Sequence, residues 1–191
     1  MKKQKIRVKS GHTVNKKFSV SWVFITVILT FMLSVSISAV TSVQMKDMAL
    51  GISLAVLLFI ILFGIFFDIL GTAVTAASEV PFHSMASNRV RGAKKTIHMI
   101  RNSEKVANVC CDVIGDICGI VSGAVGTLIV SELVLNHGFN LVVTSLAATG
   151  IISSLTVGGK ALGKTFAITN CNTIVYSVGR VLSVFEKPDK H

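Results

Sequence analysis

Two aspartates, Asp112 and Asp116, lie four residues apart in a segment that is otherwise apolar enough to cross a membrane. A carboxylate at the centre of a membrane span raises the insertion free energy by roughly 2.5–3.5 kcal/mol. Residues four apart share one face of a helix, so the two side chains are expected to lie together. Ionisable residues inside a span are by default candidates for ion or proton sites. The pair therefore predicts a site that binds a cation or exchanges protons.

Four apolar segments are the elements that must position this pair. A spanning helix needs about 20 apolar residues. The segments run from Phe18 to Val40, from Met48 to about Ala77, from Val106 to about Leu135 and from Phe139 to about Gly158. Hydrophobic residues make up 51% of the chain, and the mean hydropathy is +0.72. The predicted fold class is therefore all-α, a polytopic membrane protein with four transmembrane helices.

The distribution of Lys and Arg between the loops predicts the orientation of the chain. Seven of the 19 basic residues precede the first span, six lie between spans two and three, and five follow from Lys160 onward. The other two loops hold only Lys46. Both termini are therefore predicted to be cytoplasmic, with residues 1–17 as a basic cytoplasmic tail of a multi-pass cell-membrane protein. The net charge of +10 is then explained by topology and by contact with anionic lipid, and no nucleic-acid partner is expected.

Two shorter segments combine apolar and basic residues. Residues 81–102 place apolar side chains at three- to five-residue intervals among five basic ones. This pattern predicts a basic amphipathic helix or a short helical hairpin at the cytoplasmic interface. Residues 173–185 carry a similar apolar stripe and predict a juxtamembrane helix. Anchoring to the lipid surface is the simplest role for both segments.

Catalytic signatures are absent from the sequence. The chain contains no nucleophile beside a base and no phosphate-binding loop. Its four cysteines and five histidines have no spacing typical of a zinc site or a disulfide framework. We therefore expect a protein that is not an enzyme.

Short motifs in the second and later spans match a known pattern. The second span ends in Phe66-Phe67-Asp68-Ile69-Leu70-Gly71-Thr72-Ala73-Val74-Thr75, and a glycine-containing turn precedes Lys164-Thr165-Phe166-Ala167. With the basic segment and the polar third span, this order resembles the transmembrane domain of the cyclin M (CNNM) and CorB/CorC magnesium transporters. That family typically reads Phe-Phe-Ser-x-x-Glu-Thr-Ala-Leu, then an Asn-containing span, then Gly-Glu-x-x-Pro-Lys. The resemblance covers roughly residues 50–185, so residues 48–185 are assigned to a CNNM/CorC-like domain and residues 18–40 to an additional helix.

The resemblance implies a function and a set of site residues. In that family, hydroxyl groups, an Asn and the Gly-Glu region hold a dehydrated magnesium ion between the helices. The resemblance therefore implies that the bound divalent cation is Mg²⁺ and that the protein is a homodimer in the lipid bilayer. The residues that it assigns to the ion are Asp68, Thr72, Asp112, Asp116 and Gly159.

Departures from the family pattern affect the same site. Gly71 and Lys160 stand where the family has a glutamate, whereas Asp68 stands where it has a Ser and Asp112 and Asp116 where it has an Asn pair. A charged lysine cannot ligate a metal; it would repel a cation or pair with an aspartate. The CBS domain pair that normally follows in the family is not in this sequence. The predicted function is that of a magnesium or other divalent-cation transporter-like protein, and these departures are the sequence evidence for the alternative, a non-transporting membrane scaffold or regulatory subunit that has lost its metal site.

Three hypotheses about the carboxylates follow from the residues. They bind a hard divalent cation, which prefers oxygen ligands; Lys160 forms a structural ion pair with Asp112 or Asp116; or the aspartates bind and release protons. Asp68, about 30 Å of helix from Met48, is either a ligand or a hydrated residue at the cytoplasmic rim. The sequence alone leaves these alternatives open.

Overall fold

Helices make up nearly all of the structure, a computed structural model that describes residues 20–44 and 50–185. The basic tail and the first residues of the first two predicted spans lie outside the described residues. In chain order the elements are α1 (Val20–Gln44), α2 (Leu50–Ala76), α3 (Val80–Ser87), α4 (Ala93–Arg101), α5 (Ser103–Ala107), a π-helical segment (Asn108–Ile114), α6 (Gly115–His137), α7 (Leu141–Thr169) and α8 (Cys171–Phe185).

Three helical stretches are long and apolar enough to cross a membrane: Leu50–Ala76, Ser103–Asn136 and Leu141–Thr169. The apolar part of α1, Phe24–Val40, is shorter. The prediction of an all-helical, multi-pass membrane protein is therefore confirmed. The count of four spans and the cytoplasmic location of both termini stay predictions.

The last spanning helix is longer than its sequence suggests. The predicted span ends at about Gly158 with a turn after it, whereas α7 continues to Thr169. Side chains at Gly159 and Gly163 would collide with Ile65 and Ile69 of α2, so these glycines allow close contact between the two helices. In lipid, no water competes for the backbone hydrogen bonds, and a helix persists through glycines that would end it in a soluble protein.

Because of this extension, Lys160 and Lys164 lie in helix α7 itself rather than in a turn after it. The two lysines are four residues apart and therefore share one face of α7. That face is directed towards α2 and α6, where the acids of the candidate site are located.

Helix α2 is the centre of the bundle and packs against both α6 and α7. Its buried face repeats every three or four residues and includes Leu57, Ile61, Gly64, Asp68 and Gly71. The aliphatic partners on the other side come from the π-helical segment and α6: Val113, Ile117, Val121, Val125 and Ile129. Since lipid tails are as apolar as these side chains, close packing rather than removal from water stabilises the contact.

Helix α1, the additional helix, packs against α6. Its half-buried residues include Thr26, Thr30, Ser34 and Ser38, each four positions from the next. This spacing places four hydroxyl-bearing side chains on one face of the helix. Small polar side chains of this kind permit close helix approach in a membrane.

Helices α3 and α4 form the hairpin that was one of the two forms predicted for residues 81–102, and α4 packs against α8. Gly92, with a φ of +87°, lies against the backbone of Arg180, and a side chain there would come within 2.8 Å of its Cα. A side chain at Gly179 would collide with the hydroxyl of Thr96. The buried side of α4, which includes Ala93 and Thr96, therefore faces protein and not lipid.

Glu79 joins the two helices of this hairpin. Its carboxylate accepts a hydrogen bond from Nε of Arg101 at 3.2 Å and lies 3.2 Å from Nε2 of His83. Desolvation raises the pKa of Glu79, but the hydrogen bonds and charges of Arg101 and His83 outweigh it and lower the pKa below its ordinary value. The ionised form of Glu79 is therefore the one that stabilises the hairpin.

Candidate cation site

Asp68 is the most deeply buried acid of the candidate site. Its residue exposure is 3%, because it lies on the face of α2 that packs against α6 and α7. Nζ of Lys164 lies 3.8 Å from Oδ2 of Asp68. That distance is an ion pair but is too long for a hydrogen bond, and Oδ2 has no hydrogen-bond partner among the described residues. The hydrated position at the rim that was one of the alternatives for Asp68 is therefore not observed.

Asp116 forms the second ion pair. Its Oδ1 lies 3.8 Å from Nζ of Lys160. The Lys160 side chain is 22% exposed and the Asp116 side chain 66%, so the lysine is the more buried partner. In the other pair the aspartate is the more buried partner, with 4% exposure for Asp68 and 53% for Lys164. The pairing of Lys160 with a span-three aspartate, one of the three hypotheses from the sequence, is thus the arrangement seen here.

Asp112 lies on the π-helical segment and is exposed. No ion pair or hydrogen bond of its side chain occurs among residues 20–44 and 50–185. At the end of the segment, the backbone N–H of Gly115 donates to the carbonyl of Cys110, five residues earlier. Such π-helical turns are rare and are frequent at functional sites. Asp112 lies within this segment, whereas Asp116 lies in the first turn of the regular helix α6.

Gly115 makes room for the Lys160 ammonium. A side chain at Gly115 would lie 3.6 Å from Nζ of Lys160 and 3.5 Å from the Cys110 carbonyl oxygen. The ammonium therefore reaches the backbone where the π-helical segment meets α6. The thiol of Cys111 also donates to the backbone carbonyl of Asp68 at 3.6 Å, which links this segment to α2.

Thr72 and Gly159 complete the predicted set but do not join either ion pair. Thr72 is half-buried one turn after Asp68, and its carbonyl accepts a hydrogen bond from Thr75. Gly159 packs against Ile65 rather than facing an acid. Within the described part of the chain, no group of three or more His, Cys, Asp and Glu side chains is arranged to hold a metal ion.

Electrostatically, the site is arranged around two lysines. Lys160 and Lys164 bring two positive charges, the charge of one divalent cation, to Asp116 and Asp68. Magnesium requires near-octahedral oxygen coordination at about 2.0–2.1 Å. The ammonium groups already neutralise the acids that would supply two of those oxygens, and a cation entering beside them would meet like charge at close range. As it stands, the site suits ion pairing within the protein better than metal coordination.

Gly71, at the position where the resemblance implies a glutamate, lies in a tight contact between helices. A side chain at this position would collide with Sγ of Cys111 and approach Cβ of Cys110 at 3.2 Å. Gly71 is buried where α2 meets the π-helical segment, so a glutamate cannot enter without moving one of the two.

We expect Gly71→Ala to destabilise the protein by about 1–3 kcal/mol, the range for overpacked sites. The measurement is the free energy of unfolding in mixed micelles as the denaturing detergent is increased. Gly150→Ala is the matched control, because a side chain at Gly150 meets nothing within 4 Å; it should leave stability unchanged or higher. Equal stability of the two variants would contradict the tight contact between α2 and the π-helical segment.

Lys164 matches the Lys of the family motif, but sequence reasoning did not assign it to the site as a partner of Asp68, and it did not predict the π-helical segment. The sequence contained a signal for this role, since Lys164 is four residues after Lys160 and shares its face of a helix. The signal applies only if the helix continues past Gly158.

A cleft of about 220 Å³ between α6 and α7 was also not predicted. Glycine, serine and threonine residues dominate its lining, among them Gly119, Gly123, Ser145 and Thr149.

Comparison with protein families agrees with this architecture. No curated protein and no solved structure matches the chain. Residues 53–187 match the family model of the cyclin M transmembrane N-terminal domain, which agrees closely with the range of the resemblance found in the sequence. The match begins inside α2, so α1 lies outside the shared domain. The chain therefore belongs to the cyclin M transmembrane family, a family associated with magnesium transport.

Proposed function

We propose that this chain is a non-transporting membrane subunit of the cyclin M type, in which two lysines take the place of the divalent cation. The observation that supports the proposal is the pairing of Lys160 with Asp116 and of Lys164 with Asp68, each at 3.8 Å. Both lysines belong to the described fold and need no ligand to neutralise the acids. In this proposal the ion pairs set the register of α2, α6 and α7, a role that buried charge pairs have in other proteins.

The replacement of two family glutamates also supports the proposal. A side chain at Gly71 would press against Cys111 and Cys110, and Lys160 reverses the charge at its position. The acids that this chain has at other positions of the candidate site are Asp68, Asp112 and Asp116; two of them are paired with lysines, which leaves fewer negatively charged oxygen ligands for Mg²⁺. No covalent chemistry is proposed, and the function would be exerted through contacts in the plane of the membrane.

Flux measurements test the proposal. Purified protein is reconstituted into vesicles that contain a Mg²⁺-sensitive dye, with and without an opposing gradient of a monovalent cation. We expect Mg²⁺ to enter no faster than in protein-free vesicles. A cyclin M family transporter with both family glutamates, reconstituted at the same density, is the positive control. Mg²⁺ entry above the protein-free rate that is lost in Asp112→Asn/Asp116→Asn would contradict the proposal.

A magnesium transporter, or another divalent-cation transporter, is the second candidate. It is favoured by Asp112, which has no partner among the described residues, and by the π-helical turn beside it. In this alternative, Asp112 and Asp116 bind the cation after Lys160 moves away, and Asp68 exchanges Lys164 for the ion. The vesicle experiment separates the two candidates directly.

Association of two copies and the orientation of the chain complete the proposal. Apolar side chains in the first half of α7, among them Val142, Leu146 and Ile151, are exposed, and side chains at Gly119 and Gly123 of α6 would meet nothing within 4 Å. Faces rich in small residues pair in membranes, so we expect a homodimer that buries the cleft between α6 and α7. We also propose a cell-membrane protein with both termini in the cytoplasm, an orientation that the distribution of basic residues favours.

A further inference from the structure

Helices α4 and α8 bring basic and apolar side chains together outside the cation site. Exposed basic residues of this surface are Arg89, Arg91, Lys94 and Arg180. The α3–α4 turn and α8 are adjacent, because Gly92 lies within 2.8 Å of the Arg180 backbone when a Cβ is placed on it. Residues 80–101 and 171–185 contain no Asp or Glu, and none of the four basic side chains has an acidic partner among the described residues.

Helix α8 has an apolar edge that the protein leaves uncovered. Val175 and Gly179 are buried against the rest of the fold, whereas Val181, Leu182 and Val184 are 57%, 45% and 78% exposed. Only Asn170 separates α8 from α7. The helix therefore begins where a membrane-spanning helix ends, and its apolar edge lies beside Arg180.

We propose that this surface, formed by the α3–α4 turn and the exposed side of α8, binds the headgroups of anionic phospholipids. The apolar edge of α8 enters the boundary between headgroups and acyl chains, as interfacial helices do. Arg91 and Arg180 then lie at headgroup depth, where a guanidinium binds a phosphate through paired hydrogen bonds. The role differs from that predicted from the sequence, because α4 buries its apolar face in protein and contributes only its charges.

Spin-labelled lipids test this in the full-length protein reconstituted in bilayers. Electron paramagnetic resonance gives the association constant of labelled phosphatidylglycerol relative to labelled phosphatidylcholine. We expect the wild type to prefer phosphatidylglycerol at low salt and to lose most of this preference at 1 M salt. A basic residue near an anionic surface contributes about fivefold, so Arg91→Gln/Arg180→Gln should lower the preference up to about 30-fold, to the level of phosphatidylcholine if the starting preference is smaller.

Two further variants make the result specific. Lys16→Gln/Lys17→Gln removes the same charge from the N-terminal tail and should lower the preference less than Arg91→Gln/Arg180→Gln does. Val181→Ser/Val184→Ser keeps the charge but removes the apolar edge, and should lower the association of phosphatidylglycerol several-fold. Only variants whose melting temperature equals that of the wild type are compared, so that loss of fold is not mistaken for loss of binding.

Three outcomes would overturn the proposal. The first is equal association of the two lipids with the wild type. The second is a preference that survives Arg91→Gln/Arg180→Gln but disappears in Lys16→Gln/Lys17→Gln, which would assign lipid binding to the tail. The third is saturable binding of a poly-glutamate peptide without any lipid preference, which would show that the surface recognises an acidic protein segment.

Discussion

Replacing Lys164 by methionine should lower the free energy of unfolding by about 3 kcal/mol, the lower end of the range for removing one partner of a buried ion pair. Methionine keeps the apolar stem of the side chain but removes the ammonium that lies 3.8 Å from Asp68. The Asp68 carboxylate is then left 3% exposed without a counter-charge. The lower end applies because Lys164 itself is 53% exposed and the pair is longer than a hydrogen bond.

A double-mutant cycle isolates the ion pair from other effects of the substitution. Stability is measured by detergent-induced unfolding in mixed micelles for the wild type, Lys164→Met, Asp68→Asn and the double variant. We expect Asp68→Asn/Lys164→Met to recover most of the loss, because the neutral amide needs no counter-charge. Lys94→Met, an exposed lysine of α4, is the control and should stay within about 0.5 kcal/mol of the wild type.

A stable Lys164→Met variant would contradict this account of Asp68. It would indicate that Asp68 is neutral in the fold, which is the proton-binding hypothesis left open by the sequence. In that case the stability of Lys164→Met would not rise when Asp68 is also replaced, and the cycle would show no coupling. The experiment therefore distinguishes an ion pair from a protonated acid.

Much of the architecture could be predicted from hydropathy and charge. Spanning segments are long and strongly apolar, and amphipathic segments show a helical period, so both were placed within a few residues of their observed positions. The predicted end of the last span, at about Gly158, was wrong because Gly158-Gly159-Lys160 has the composition of a turn in water. In the membrane those glycines are contact points with α2, and the helix continues through them.

The candidate site was predictable only in part. The unusual acids, Asp68, Asp112 and Asp116, stand out in any hydropathy profile, and Lys160 was recognised as a partner for a span-three aspartate. Lys164 was missed because its position relative to Asp68 depends on the length of α7. The π-helical segment was not predicted from local sequence; it lies where Gly71 of α2 contacts Cys110 and Cys111.

The Lys160–Asp116 pair provides the second large effect, the appearance of Mg²⁺ binding in Lys160→Met. The substitution removes the ammonium near Gly115 and frees Asp116 one turn from Asp112. Two carboxylates, nearby backbone carbonyls and water can then supply the oxygen ligands that Mg²⁺ prefers. The wild type already contains the same acids, so its lysines would be what prevents binding. Lys160→Met leaves Asp68 and its partner intact, which favours retention of the fold.

Direct Mg²⁺ binding by purified protein, measured by titration calorimetry in detergent, is the test of the central statement that lysines replace the cation. We expect no saturable binding by the wild type at millimolar Mg²⁺, saturable binding by Lys160→Met, and loss of that binding in Asp112→Asn/Lys160→Met. Saturable binding by the wild type that disappears in Asp112→Asn/Asp116→Asn would contradict the account and would instead identify a working cation site.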